Sequence, residues 1–307
     1  MEKRSILHMF DPTPQNSPFD VNMALDAGFD MLMPYNNVKL DGLQRLVQDA
    51  IFSRSPSGIR RTAIFIGGRD LGLAMNMLST SKQAMFPPFE ISVFADPSGA
   101  FTTAAALVAS VEKQLKEKHG KALESCKTVV FGGTGPVGIA SGIITSLAGS
   151  DTVLVDHLAK DTAIDAANEY NRLCQSSLDG AVASSDEEKI DLVADADIIF
   201  CTAKAGIQVL NETVLKAAKQ LKVAGDINAV APAGIAGIKA KDMGEPLIHA
   251  TASDNPVGVG PLAVGNIKYK LQIELLKSML KRETEKDKPV YLDFREAFTV
   301  AREILEI

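Results

Sequence analysis

The glycine-rich run KTVVFGGTGPVG, from Lys127 to Gly138, carries the strongest chemical signal in the sequence. It follows a β-branched segment, opens a helical one and contains the spacing G-x-G-x-x-G at Gly133, Gly135 and Gly138. In this context the glycines allow a tight turn, a close backbone approach to a pyrophosphate and close packing of helix on strand. The start of the helix also favours bound phosphate, because its N–H groups are unpaired and carry a partial positive charge. The predicted nucleotide-binding residues of this loop are Gly133, Thr134, Gly135, Pro136, Val137 and Gly138.

An acidic residue stands where a dinucleotide-binding fold places its ribose ligand. Asp156 ends the next predicted strand and is followed by His157. A carboxylate there accepts hydrogen bonds from a ribose diol and repels a 2′-phosphate, so NAD is favoured and NADP stays possible. The alternative is a glycine-rich turn in which Asp156 only caps a helix. Three further residues follow later strands and are predicted to surround the nucleotide, with a plain turn as the alternative for each segment: Thr202, Ala203 and Asn228.

These residues need a frame of strands and helices, and the sequence predicts one throughout. Short β-branched runs alternate with helical stretches, which is typical of an α/β fold with parallel sheets covered by helices. A long helix over Ala100–His119 ends in a charged stretch, and we place a domain boundary after it. The first domain then covers residues 1–124, and a Rossmann-type, doubly wound parallel-sheet domain covers residues 125–267.

Composition argues against several classes of protein. The 307 residues are 46% hydrophobic, but no uncharged run is long enough for a membrane span. A net charge of −6 without a basic stripe makes a nucleic-acid partner unexpected. Cys126, Cys174 and Cys201 are odd in number and far apart, which predicts reduced core residues in a cytoplasmic protein. Four scattered histidines predict no metal site.

The first half carries polar clusters that core packing does not explain. Each is expected just beyond the carboxyl end of a predicted strand, where open α/β sheets bind ligands. These clusters are Ser17–Asp20, Asp26–Asp30, Tyr35–Val38, Gly67–Asp70 and Asp96–Ala106.

With these clusters the sequence resembles the NAD(P)-dependent methylene-tetrahydromethanopterin dehydrogenases of bacterial one-carbon metabolism. The resemblance covers nearly the whole chain, in order, and rests on seven motifs: S-x-F-D at Ser17, D-x-G-x-D at Asp26, Y-x-N-V at Tyr35, TAIFIGG at Thr62, D-x-x-G-x-x-TTAAA at Asp96, GTGPVG at Gly133 and G-x-x-K-x-K-L at Gly265. It implies a first domain joined by C-terminal helices over residues 268–307, facing the dinucleotide domain across a cleft. It also implies a homo-oligomer, with a homotrimer expected.

The implied reaction moves a hydride from a methylene carbon on a reduced pterin, a tetrahydromethanopterin derivative, to the nicotinamide. The product is a methenyl cation stabilised by two ring nitrogens, so no proton moves and no general base is needed. Catalysis then depends on placing the carbon close to the nicotinamide and on negative charge near the growing cation.

Asp20 is the predicted source of that charge, with a helix N-cap as its alternative role. By the resemblance, Lys268 matches an active-site lysine of the family; a solvated helix lysine is the alternative. The predicted substrate-binding residues are Tyr35, Asn37, Asp96, Thr102 and Thr103. For the last three, turn and capping chemistry is an equal alternative.

Two other functions stay open at this point. One is a methylene-tetrahydrofolate dehydrogenase, which performs the same hydride chemistry on another carrier. The other is a non-catalytic NAD-sensing regulator, which would bind NAD without turnover.

Overall fold

A computed structural model describes residues 3–282, 284 and 286–307 of the chain. The strands are β1 Ile6–Phe10, β2 Met31–Tyr35, β3 Thr62–Ile66, β4 Ser92–Ala95, β5 Lys127–Phe131, β6 Asp151–Asp156, β7 Leu178–Val182, β8 Ile198–Cys201, β9 Val223–Asp226, β10 Met243–Pro246, β11 Val257–Val259 and β12 Tyr291–Leu292. The α-helices are α1 Pro18–Asp26, α2 Leu40–Phe52, α3 Pro56–Ile59, α4 Leu71–Gln83, α5 Ala100–His119, α6 Pro136–Leu147, α7 Lys160–Cys174, α8 Asp186–Val193, α9 Glu212–Lys216, α10 Pro261–Ser278 and α11 Phe294–Leu305. The α/β class predicted from the alternation of segments is confirmed.

Contacts between Cα atoms divide the chain into two compact units. One unit extends to Thr102 and takes in Tyr269–Val300, and the other comprises Thr103–Lys268 and Ala301–Ile307. The division therefore falls at the start of α5 rather than after it. In the second unit Leu107 and Val111 of α5 lie against Gly225 of β9, where an added Cβ would be 2.7 and 3.1 Å from their methyl carbons. The assignment of a pterin domain and a nucleotide domain to residue ranges stays a prediction.

The first unit is built on a five-stranded parallel sheet in the order β12-β4-β3-β1-β2. Its central strand β3, sequence TAIFI, is buried at every position, as expected for a strand covered on both faces. The edge strand β2 is largely exposed and holds Pro34, which is tolerated there because an edge strand leaves one row of N–H groups unpaired. The order reverses at β1, so β1 and β3 form the point where doubly wound sheets open a crevice.

The second unit contains a seven-stranded sheet in the order β10-β11-β9-β8-β5-β6-β7. All pairs are parallel except β10 with β11. Leaving β10 aside, this is the dinucleotide-binding order 3-2-1-4-5-6 with β5 as its first strand. The loop after β5 consequently lies at the reversal point, between the ends of β6 and β8.

Among the described residues, no helix combines the length and the apolar character that crossing a bilayer requires.

Candidate functional site

The glycine loop follows β5, and close contacts require its glycines. Gly132 adopts φ +72°, and a Cβ there would lie 2.6 Å from the Ala203 nitrogen. A Cβ on Gly138 would lie 2.3 Å from the Gly132 carbonyl oxygen, and one on Gly133 would lie 2.7 Å from the Val155 nitrogen. Gly135 differs, because the nearest atom to its added Cβ is 3.4 Å away. Three glycines thus bring strand ends and helix together, and Gly135 leaves space above the start of α6. This cradle fits a dinucleotide pyrophosphate.

Asp156, at the end of β6, is tied to the glycine loop. Its Oδ2 accepts a 2.7 Å hydrogen bond from Thr134 Oγ1, and its Oδ1 accepts the N–H groups of Leu158 (2.7 Å) and Ala159 (3.1 Å). Burial raises the pKa of Asp156, but these three hydrogen bonds outweigh burial and hold the pKa below its ordinary value. The carboxylate thus caps the turn into α7 through Oδ1, and Oδ2 can still accept a second hydrogen bond. The capping and ribose-binding interpretations are therefore compatible. His157 beside it is exposed.

The loops after β8 and β9 are held by polar side chains, of which Thr202 is half-buried and Asn228 is buried. Thr202 Oγ1 donates to the carbonyl oxygens of Phe131 (3.0 Å) and Gly132 (3.1 Å), which attaches the β8 loop and Ala203 to the glycine loop. Asn228 is only 5% exposed. Its Oδ1 accepts the N–H groups of Gly206 and Val230, both at 3.0 Å, and its Nδ2 donates to the Pro232 carbonyl at 2.9 Å.

Asp226 is a fully buried carboxylate that sequence reasoning did not select. It accepts the backbone N–H groups of Asn228 (2.8 Å) and Ile235 (3.0 Å). Burial raises the pKa of Asp226, and burial followed by this neighbouring charge raises the pKa of Cys201 to about 12. Cys201 is therefore an unreactive core thiol, and Asp226 organises the loop after β9. Its position as the last residue of a strand was the available signal.

In the first unit, another missed carboxylate lies at the reversal point of the sheet. Asp11 follows β1 and is 4% exposed. Its Oδ1 accepts both polar groups of Thr13 (2.6 and 2.7 Å), and its Oδ2 accepts the Gly68 N–H at 3.2 Å. Ser98, at φ +54°, donates to the Gly68 carbonyl at 2.9 Å. These bonds tie together the ends of β1, β3 and β4.

Two predicted pterin ligands pair with each other. Asp96 Oδ2 accepts the Thr102 hydroxyl at 2.6 Å, and its Oδ1 accepts the Thr102 N–H at 3.1 Å. Both residues are fully buried, whereas Thr103 is half-buried. The pair therefore performs the capping chemistry expected as the alternative role at the start of α5.

Tyr35 and Asn37 border an open depression of about 480 Å³. Tyr35 packs edge-on against Phe10 at 5.2 Å, and its hydroxyl lies 3.2 Å from His8 Nδ1. Burial lowers the pKa of His8, and the charge of Arg54 lowers it further. Asn37 is exposed and adopts φ +53°. The half-buried ring of Tyr35 thus has a fixed orientation.

Asp20 lies in the first turn of α1, whose N-cap is Ser17, so Asp20 is not the N-cap residue. Its side chain is 6% exposed, and its Oδ1 accepts a 2.9 Å hydrogen bond from Nε2 of Gln272 in α10. Lys268, which is half-buried, precedes Gln272 by four positions and so lies on the same face of α10. Gln272 was missed by sequence reasoning, since nothing local distinguishes it.

Within the described ranges no group of three or more histidine, cysteine or acidic side chains is arranged to hold a metal ion.

Comparison with known proteins is consistent with these features. A family profile described as methylene-tetrahydromethanopterin dehydrogenase, N-terminal, matches residues 18–98. The NAD(P)-dependent methylenetetrahydromethanopterin dehydrogenase of Methylorubrum extorquens is 44% identical, over 98% of this chain and 99% of that protein. The bifunctional protein MdtA of the same organism is 30% identical, again over 98% and 99%.

Among solved structures, quinate dehydrogenase from Corynebacterium glutamicum in complex with NAD superposes with a TM-score of 0.52. The superposition covers 99% of this chain and 100% of the quinate dehydrogenase chain, with 13% sequence identity. At this identity it establishes only a shared fold. The 44% identity, in contrast, extends along nearly the entire sequence and bears out the resemblance carried by the motifs. The chain belongs to the family of NAD(P)-dependent methylenetetrahydromethanopterin dehydrogenases.

Proposed function

We propose that this enzyme oxidises methylene-tetrahydromethanopterin to the methenyl cation in one-carbon metabolism, with NAD(P)+ as the hydride acceptor. The observation that carries the proposal is the 44% identity over 98% of this chain, an extent that takes in both compact units. A nucleotide-binding domain alone would account for the glycines only.

The proposed nucleotide site uses backbone N–H groups and one carboxylate, that of Asp156, to bind the nucleotide. Gly135 and the N–H groups at the start of α6 are proposed to hold the pyrophosphate, with Thr134 and Val137 beside it. Thr202, Ala203 and Asn228 shape the wall formed by the loops after β8 and β9. When bound, the oxidised nicotinamide supplies the hydride acceptor.

NAD is the favoured nucleotide in this proposal. Asp156 has a lowered pKa and therefore carries its negative charge at neutral pH. That charge repels a 2′-phosphate, while the remaining acceptor capacity of Oδ2 suits a ribose hydroxyl. NADP stays an alternative, because the hydrogen bonds from Thr134, Leu158 and Ala159 already satisfy part of the carboxylate.

The pterin side is proposed to need positioning and charge rather than proton transfer. Hydride loss from a carbon between two nitrogens creates a cation, which a nearby anion such as Asp20 stabilises. Lys268 is assigned to grip the pterin or pair with a carboxylate, because a bare cation against the reacting carbon would oppose the reaction. Tyr35, Asn37 and Thr103 are the proposed pterin contacts. Asp96 and Thr102 support them by shaping the start of α5.

An absorbance assay of nicotinamide reduction tests the proposal. Purified enzyme is given methylene-tetrahydromethanopterin or methylene-tetrahydrofolate, each with NAD or NADP. The highest kcat/KM is expected with the tetrahydromethanopterin substrate and NAD. A higher kcat/KM with the folate would support the folate-linked reaction instead, and NAD binding without turnover in all four mixtures would support a sensor.

We also propose a cytoplasmic homotrimer, as expected from the sequence resemblance. Light scattering after size exclusion should give about three times the chain mass of 32.7 kDa. A mass of one or two chains would contradict this assembly.

A further inference from the structure

Gln272 and Asp20 form a buried pair that joins α10 to α1 within the first unit. The Gln272 side chain has no exposed surface, Asp20 is 6% exposed, and Nε2 lies 2.9 Å from Oδ1. Burying a primary amide and a carboxylate is costly unless each is hydrogen-bonded. Breaking this hydrogen bond would leave both buried groups without it, so the pair is stable as it stands.

The chemistry of the two groups determines the direction of this bond. An ionised carboxylate only accepts hydrogen bonds, so the amide presents its NH2 group to Asp20. The amide orients the carboxylate yet adds no charge. An arginine or lysine at the same place would add a positive charge that cancels the negative charge of Asp20.

We propose that Gln272 is a positioning residue for hydride transfer, which holds the Asp20 carboxylate in one orientation while preserving its negative charge. The inference rests on the proposed function, in which that charge stabilises the forming cation. Gln272 acts through Asp20 and has no assigned contact with the pterin. Gln272 follows Lys268 by one helical turn, so the two residues lie on the same face of α10.

Two substitutions and one control test this role. Gln272→Met keeps the length of the side chain and removes the hydrogen bond, so kcat should fall about tenfold or more with the KM for NAD unchanged. Gln272→Glu places a second carboxyl group against Asp20, and the two groups should share one proton. Gln114→Met is the control, because it removes another buried glutamine amide, in α5, to which we assign no role in the reaction.

The pH profile separates positioning from simple structural support. At low pH the carboxyl group introduced by Gln272→Glu is protonated and donates to Asp20, so kcat should approach that of the wild type. As the pH rises, the shared proton leaves, the two carboxylates repel each other, and kcat should fall relative to the wild type. Melting temperatures of all variants show whether they are folded, and Gln272→Glu remains informative if Gln272→Met does not fold.

The outcomes are distinct. An active wild type supports the role of Gln272 if Gln272→Glu loses more kcat as the pH rises and Gln272→Met, where it folds, has a lowered kcat. If the wild type is active and Gln272→Glu either matches it or loses the same activity at every pH, or if a folded Gln272→Met matches the wild type, the role of Gln272 is overturned and the proposed function stands. An inactive wild type in all four substrate mixtures overturns the proposed function itself.

Discussion

Replacing Gly138 by alanine should damage both the stability and the nucleotide affinity of the second unit. The added Cβ would lie 2.3 Å from the Gly132 carbonyl oxygen and 2.8 Å from both the Gly133 Cα and the Thr202 hydroxyl. Side-chain Cβ atoms essentially never approach other atoms within 3.0 Å, so the closest pair must separate by about 0.7 Å. Two of the three neighbours are backbone atoms, which cannot rotate away as a flexible side chain would.

The expected cost is about 1–3 kcal/mol, which corresponds to a fall in melting temperature of about 3–10 °C. Because the chain has no tryptophan, unfolding is followed by circular dichroism, and NADH binding is followed by the fluorescence of the ligand. The Kd for NADH should rise at least about tenfold, since movement of Gly132 and Gly133 distorts the phosphate cradle.

Two other glycines provide matched controls. Gly265→Ala in α10 meets no atom within 4 Å and improves helix propensity, so the melting temperature should hold or rise. Gly135→Ala meets only the Gly132 oxygen at 3.4 Å, so it should stay stable and weaken NADH binding alone. A Gly138→Ala variant that melts with the wild type and binds NADH equally well would refute the close approach on which this reasoning depends.

Three further predictions address selectivity, the pterin side and pH. Asp156→Ala should raise the ratio of kcat/KM for NADP over NAD about tenfold or more, because the repelling charge and ribose acceptor are lost; an unchanged ratio would show that Asp156 does not contact the ribose. Lys268→Ala should lower kcat, or raise the pterin KM, about 100-fold with NADH affinity kept; wild-type kinetics would remove Lys268 from the site. Burial and Arg54 lower the pKa of His8 below its ordinary 6.5, so the unfolded chain gains a proton before the folded one and stability falls as pH drops below 6.5. In His8→Asn the melting temperature should fall less steeply between about pH 7 and 5 than in the wild type. Part of the fall should remain, because the pKa of His119 is also lowered. A slope as steep as that of the wild type would contradict the assignment.

Elements with strong local patterns were predicted closely. The apolar run TAIFI predicts a buried strand over Thr62–Ile66, and β3 has these bounds, as α5 has the expected bounds Ala100–His119. Asp70 before the next helical segment predicts an N-cap, and it caps α4 by accepting the Leu73 N–H at 2.8 Å. The sequence predicts a second strand over Phe29–Met33, but β2 begins at Met31. Gly28 at φ +104° and a hydrogen bond from the Phe29 N–H to the Ala24 carbonyl extend the turn before it.

Weakly patterned elements were missed. The strand Leu178–Val182 contains aspartate and glycine and lies at the edge of its sheet, so it lacks the apolar run of a central strand. Strands β10, β11 and β12 have only two to four residues each. Their pairing is decided by neighbouring strands rather than by their own composition.

The sequence by itself determined the α/β class, the glycine loop and the motifs that identify the family. These depend on local periodicity and on conformations that only particular residues adopt. The tertiary structure alone decided which polar groups satisfy one another: Asp96 with Thr102, Asp156 with Thr134, and Asp20 with Gln272 across 252 positions. A buried polar group needs a partner, but packing of distant segments determines which one comes within hydrogen-bond distance, and no local pattern records that approach.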